Sequence, residues 1–228
     1  MIRLLHFPLC VSSRFIRLIL AECELRPELV EERPWERREA FLMMNPAGTL
    51  PVLVENDGPA IAGAWAASEY LDETRGFALA EHRLLPPSAD GRAEVRRLTD
   101  WFVAKFDSEV TQYLVEEKVV KRLRGEGDRS PSSALLRAAR SNVRLHLSYV
   151  DHLMGGRKWL AGERLTYADL AGAAALSVAD YLGEVPWAEA GEARDWYARL
   201  KSRPSFRPLL GDQLRGVAPP QHYADLDF

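Results

Sequence analysis

A change of periodicity near Ala80 constrains this chain more than any other feature. Before it, short β-prone runs alternate with helical ones; after Leu84-Leu85-Pro86-Pro87-Ser88, helical spacing continues with no convincing strand. Ile2 to Phe7 reads as a strand, and Ser12 to Glu24 as a helix with Phe15, Ile16, Ile19, Leu20 and Cys23 at helical spacing and Ser12 or Ser13 as its cap. A short strand around Leu29 to Glu31 leads into a charged helix from Glu36 to Met44. Asn45 to Leu50 then supply turn residues before a strand that opens on Pro51, a proline predicted at a strand-opening or cis position. Asn56-Asp57-Gly58 signals a hairpin returning through Ala60 and Ile61, and a helix from about Ala64 to Asp72 follows. Such an order calls for a small mixed sheet with helices on its faces.

The second part reads as helices from about Asp90 to Arg124, Ser132 to Met154, Thr166 to Tyr181 and Glu189 to Lys201, punctuated by Gly125-Glu126-Gly127-Asp128 and Gly155-Gly156. A short helix is expected within Pro204 to Leu214. The predicted fold is therefore α/β plus all-α: a mixed αβ domain over 1–78, a linker over 79–89, a helical domain over 90–215 and an extended tail over 216–228. A chain of 228 residues is long enough for two small domains.

Charge narrows the partners. Thirty basic side chains against 33 acidic ones leave a net charge of −3, which argues against a general nucleic-acid binder. No apolar run approaches the roughly 20 residues that span a bilayer, and the first eight residues are too short and interrupted for a signal peptide. A cytoplasmic protein without membrane insertion is expected. Cys10 and Cys23 suit neither a disulfide framework nor a zinc knuckle, and the five histidines are scattered, so no metal site is predicted.

Three motifs resemble the glutathione S-transferase superfamily. Asn45-Pro46-Ala47-Gly48-Thr49-Leu50-Pro51-Val52-Leu53 is similar to the family's N-P-x-G-x-[LV]-P-V-L. Leu84-Leu85-Pro86 with Arg92 to Arg96 looks like its linker and the start of a long fourth helix. Leu160-Ala161-Gly162-Glu163-Arg164-Leu165-Thr166-Tyr167-Ala168-Asp169 is similar to L-x-G-x-x-x-T-x-A-D. The resemblance implies a thioredoxin-like N-terminal domain, a C-terminal helical bundle and a cis Pro51 beside Leu50, whose backbone would bind the cysteinyl part of glutathione. Thr166 and Asp169 form a capping box whatever the family, and their expected role is structural.

The same resemblance sets expectations for the site. A transferase needs a group that stabilises the glutathione thiolate at the start of the first helix, where the dipole favours negative charge. Cys10, Ser12 and Ser13 are the candidates, and Arg14 and Arg17 are expected to make the surroundings of Cys10 electropositive. The acidic residue and serine that hold the γ-glutamyl group in the family fall on Gly63 and Ala64. Leu50, Pro51, Gly63 and Ala64 thus outline a degenerate glutathione cleft, and no cofactor is expected. Losing two such hydrogen bonds costs on the order of 2–5 kcal/mol of binding.

With the cleft weakened, function is expected at the surface. The tail residues Tyr223, Asp225, Leu226, Asp227 and Phe228 read as anchors and charges of a strand-like peptide behind Pro219-Pro220. Trp35, amid charged residues, is a candidate hot spot, and Lys118, Arg122 and Arg124 form a basic end to the long helix. Taken whole, the chain looks most like the bacterial cell-division members of the superfamily. That implies a non-enzymatic homodimer whose protein partner is the tubulin-like FtsZ, acting on filament architecture and constriction at the division site. The alternative is a glutathione transferase or thiol reductase using Cys10 or Ser12.

Overall fold

The structure is a computed structural model that describes residues 1–125 and 130–226. Strands β1 (Ile2–His6), β2 (Glu28–Glu31), β3 (Val52–Glu55) and β4 (Ile61–Ala62) form one sheet in the order β2-β1-β3-β4. β1 runs parallel to β2, with Leu4 opposite Leu29, and antiparallel to β3, with Leu4 opposite Leu53 and Leu5 opposite Val52. Asn56 and Asp57 both take positive φ, 50° and 58°, the conformation that joins β3 to its neighbour through a tight turn. Helices α1 (Val11–Glu22), α2 (Glu39–Met44) and α3 (Ala64–Arg75) connect and cover the strands. The charged stretch predicted as one helix from Glu36 is instead a 3₁₀ turn, Pro34–Glu36, a left-handed Arg37 and then α2. Proline starts the first turn and the left-handed residue ends it, so helical geometry cannot run through.

A helix, α4, runs continuously over residues 89–124: α-helical over Ala89–Asp100, Gln112–Val115 and Lys121–Arg124, and π-helical over Trp101–Thr111 and Glu116–Val120. Four more helices follow, α5 (Ser133–Met154), α6 (Tyr167–Tyr181), α7 (Glu192–Lys201) and α8 (Arg207–Leu210). The helix predicted from Glu189 begins three residues later, because Ala190 is extended and separates a 3₁₀ turn at Trp187–Glu189 from α7. Every residue of α6 is buried, which explains its run of alanines: a helix enclosed all round must be narrow, and its polar residues Asp169, Ser177 and Asp180 find bonds inside the core. Gly172 marks the closest approach. A Cβ there would lie 2.8 Å from the ring of Trp196.

At the start of α6, Asp169 Oδ2 accepts the Thr166 N–H at 2.9 Å and its hydroxyl at 3.0 Å, while Oδ1 accepts the Leu160 N–H at 2.8 Å and the Trp196 indole at 3.1 Å. One carboxylate therefore ties the α5–α6 loop, the cap of α6 and α7 together. Helix α1 packs between α3 and α6 and is buried from Ser13 through Leu20, Arg14 and Arg17 included.

The segment after Gly216 is not an extended tail over its described length. Val217 bridges back to Leu214, Gln221–Tyr223 form a 3₁₀ turn, and Tyr223 is fully buried. Asp227 and Phe228 lie outside the described residues. Among the described residues no helix is long and apolar enough to cross a membrane.

Candidate functional site

A cleft of about 560 Å³ opens between the sheet side and α4. Its sheet side is made by Phe7, Leu9 and Cys10 after β1, by Pro34 and Trp35, and by Gly48, Thr49 and Leu50 before β3. The peptide bond between Leu50 and Pro51 is cis, and Asn45 holds the preceding turn by donating Nδ2 to the Thr49 carbonyl at 2.8 Å. From the other side come Asp107, Thr111, Gln112 and Tyr113 and, a turn further along α4, Glu116 and Val120.

Cys10 is the N-cap of α1, and its Sγ accepts the Ser13 N–H at 3.4 Å. The serines predicted as caps do not fill that role: Ser12 is half-buried at the second helical position, and the buried Ser13 Oγ has no hydrogen-bond partner among the described residues. The electropositive setting expected for Cys10 is also corrected. Arg14 donates to the Pro8 carbonyl at 2.6 Å, Ser177 at 2.8 Å and Tyr223 at 2.9 Å, and Arg17 clamps Asp212 with two bonds of 2.8 Å. Both guanidinium groups are thus engaged by the helical half and the C-terminal segment. Burial pushes the Cys10 thiol up, and the negative charge of Asp107 adds to the same direction. A thiol so placed is kept protonated near neutral pH.

Gly63 caps α3 with φ of 90° and offers no side-chain cap, and Ala64 follows as the first helical residue. The two positions expected to hold the γ-glutamyl end of glutathione therefore present no polar side chain. Among the described residues lining the cleft there is no lysine, arginine or histidine. Glutathione, with two carboxylates and one ammonium, does not fit this donor set, and no chemical step is derived through it.

Asp107 was not foreseen. In the π-helical stretch the Gln112 N–H reaches the Asp107 carbonyl, and the same widened turn lets the Thr111 hydroxyl and Gln112 Nε2, the latter at 3.0 Å, both bond the Asp107 carboxylate. Polar residues at i, i+4 and i+5 were the available signal, a faint one in a helix that also carries Lys105, Ser108 and Glu109. π-Helical turns recur at functional positions in other proteins.

The surface candidates separate into three groups. Trp35 is half-buried, edge-on to Phe7 with centroids 5.1 Å apart, and belongs to the cleft rather than to an exposed patch. Lys118 is tied to Glu184 and to the Leu182 carbonyl at 2.8 Å, and Arg124 bonds Glu116 at 2.9 Å, so neither is a loose cation. Arg122 is exposed, and with Lys118 it lines a groove against Gly216, Val217, Pro219 and Pro220. Two features read separately from the sequence are thereby brought side by side. Tyr223 is corrected from surface anchor to core residue: its hydroxyl accepts from Arg14 and donates to the Leu209 carbonyl at 3.0 Å. Asp225 and Leu226 are exposed, Leu226 at 41%.

The sequence matches the glutathione S-transferase N-terminal domain over residues 9–74 and the C-terminal domain over residues 122–204. Along 226 residues, covering 98% of this chain and 96% of the relative, it is 46% identical to FtsZ-localized protein A of Caulobacter vibrioides. The chain belongs to the glutathione S-transferase family. A crystal structure described as a glutathione S-transferase from Sinorhizobium meliloti superposes with a TM-score of 0.96 at 53% identity over the full length of both chains. FzlA from C. crescentus superposes at 0.92 with 44% identity, covering 100% of this chain and 99% of that one.

Proposed function

We propose that this chain is a non-enzymatic, homodimeric member of the family that binds FtsZ in the bacterial cytoplasm and regulates filament architecture and constriction at the division site. The observation that carries the reading is the 46% identity, sustained over 98% of the chain, to a protein named for its localisation with FtsZ. The cleft supports the non-enzymatic part, because Cys10 faces a carboxylate and Gly63 and Ala64 offer no anchoring side chains. A dimer would bridge neighbouring protofilaments through the effective concentration of its second site. The exposed Asp225 and Leu226, and Arg122 in its groove against Pro219 and Pro220, are the surface we assign to the partner.

Co-sedimentation with FtsZ polymer tests the proposal. Removing residues 216–228 would strip Tyr223 from Arg14 and confound folding with binding, so the informative truncation removes 225–228 and leaves both Tyr223 bonds in place. Pelleting of the intact chain with polymer and its loss on this truncation is the expected result; failure of the intact chain to pellet refutes the proposal. The transferase reading is favoured by the description of the S. meliloti structure. Calorimetry with millimolar glutathione separates the two: tight binding, or conjugation abolished by Cys10→Ala or Ser12→Ala, would establish the enzyme instead.

A further inference from the structure

The charge and shape of the cleft select a ligand of different chemistry from glutathione. Its volume of about 560 Å³ lies in the range of small-molecule sites, roughly 300–1,000 Å³. Three aromatic rings line it: Phe7 and Trp35 meet at 84° on one side, and Tyr113, 38% exposed, faces them from α4. The charged groups among the described lining residues are all acidic. Glu116 is bonded to Arg124, but among the described residues Asp107 is bonded only by the uncharged Thr111 hydroxyl and Gln112 amide, one on each oxygen. A carboxylate oxygen accepts more than one hydrogen bond, so Asp107 retains acceptor capacity toward the cleft.

An anion entering this space meets like charge and no cation. A neutral ligand leaves the Asp107 charge uncompensated as water is displaced, which is costly in an apolar enclosure. A cation satisfies both demands, and the electron-rich indole face of Trp35 adds a further attraction.

We propose that the interdomain cleft binds a small apolar ligand carrying a protonated amine, its hydrocarbon part among Phe7, Trp35 and Tyr113 and its ammonium on the carboxylate of Asp107. The burial that pushes the Asp107 carboxyl up from its ordinary range agrees with a group still lacking an opposite charge. This site shares no residue with the surface assigned to the filament, so either proposal can fail alone.

The test is calorimetric titration of the full chain at neutral pH with three probes of one shape: 1-naphthylmethylamine, 1-naphthalenemethanol and 1-naphthoate. The amine is expected to bind about tenfold more tightly than the alcohol, the value of one charge-assisted hydrogen bond, and the acid least tightly of all. Asp107→Asn should bring the amine to the level of the alcohol without weakening the alcohol, Trp35→Ala should weaken both, and Glu116→Gln should leave the order unchanged. Equal affinity for amine and alcohol would make this a neutral apolar pocket and overturn the proposal, as would preference for the acid. These orderings in the unsubstituted chain decide the matter even where a variant fails to fold.

Discussion

Replacing Tyr223 by phenylalanine is the sharpest probe of how the C-terminal segment is held. The phenyl ring would keep its edge contact with Tyr181, 5.1 Å between centroids, so the perturbation is confined to one hydroxyl. That hydroxyl accepts from Arg14 at 2.9 Å and donates to the Leu209 carbonyl at 3.0 Å. Arg14 retains the Pro8 carbonyl, Ser177 and Asp212 as acceptors, whereas the Leu209 carbonyl loses the side-chain donor that reaches it. One bond to a charged group contributes ~1.5–3 kcal/mol and one neutral bond ~0.5–1.5 kcal/mol, so the expected destabilisation is about 2–4.5 kcal/mol. Urea unfolding at fixed protein concentration measures it, the concentration being held because the stability of the proposed dimer would depend on it. Amide exchange over 216–223 should quicken in parallel. A loss below about 0.5 kcal/mol with unchanged exchange would refute a structural role for this residue and restore it as a surface anchor.

Other consequences are equally direct. Burial, reinforced by Arg17, lowers His6 from 6.5 to about 4, so the folded chain keeps it neutral where an unfolded histidine is charged. Stability from this group is present above pH 6.5 and lost as pH falls toward 4, by about 3 kcal/mol; His6→Gln should flatten that part of a pH series of urea melts, and an unchanged slope would contradict it. Cys10 and Cys23, whose thiols burial pushes up, Cys23 to about 11, should alkylate with iodoacetamide at pH 8 more than tenfold slower than free glutathione. Mass spectrometry showing a rate close to the free thiol would place a thiolate in the cleft after all. Gly172→Ala forces a methyl into the ring of Trp196 at 2.8 Å and should lower stability by about 1–3 kcal/mol in the same melts.

What could be read from the sequence was local. The turn and cis proline of 45–53 and the Thr166–Asp169 cap involve residues close along the chain, so turn and capping preferences suffice to place them. Which face of α1 is buried was readable only in part. Phe15, Ile16 and Ile19 mark one stripe, but the helix lies between α3 and α6 and buries its arginines as well. Two arginines in the middle of an apolar helix looked like an electropositive environment for Cys10 because sequence proximity was all that could be weighed. Their partners, Ser177, Asp212 and Tyr223, lie 163 to 209 residues away.

The same long-range bonds join parts of the molecule that the sequence suggested would act separately. The C-terminal turn holds Arg14 through Tyr223, and Arg14 holds the Pro8 carbonyl, two residues before Cys10 at the edge of the cleft. A buried guanidinium is expensive to leave without acceptors, so the loop that forms one wall of the cleft and the segment that carries the exposed Asp225 and Leu226 share a single set of bonds. Loss of the Tyr223 contact would therefore leave Arg14 to its remaining partners and loosen both ends together.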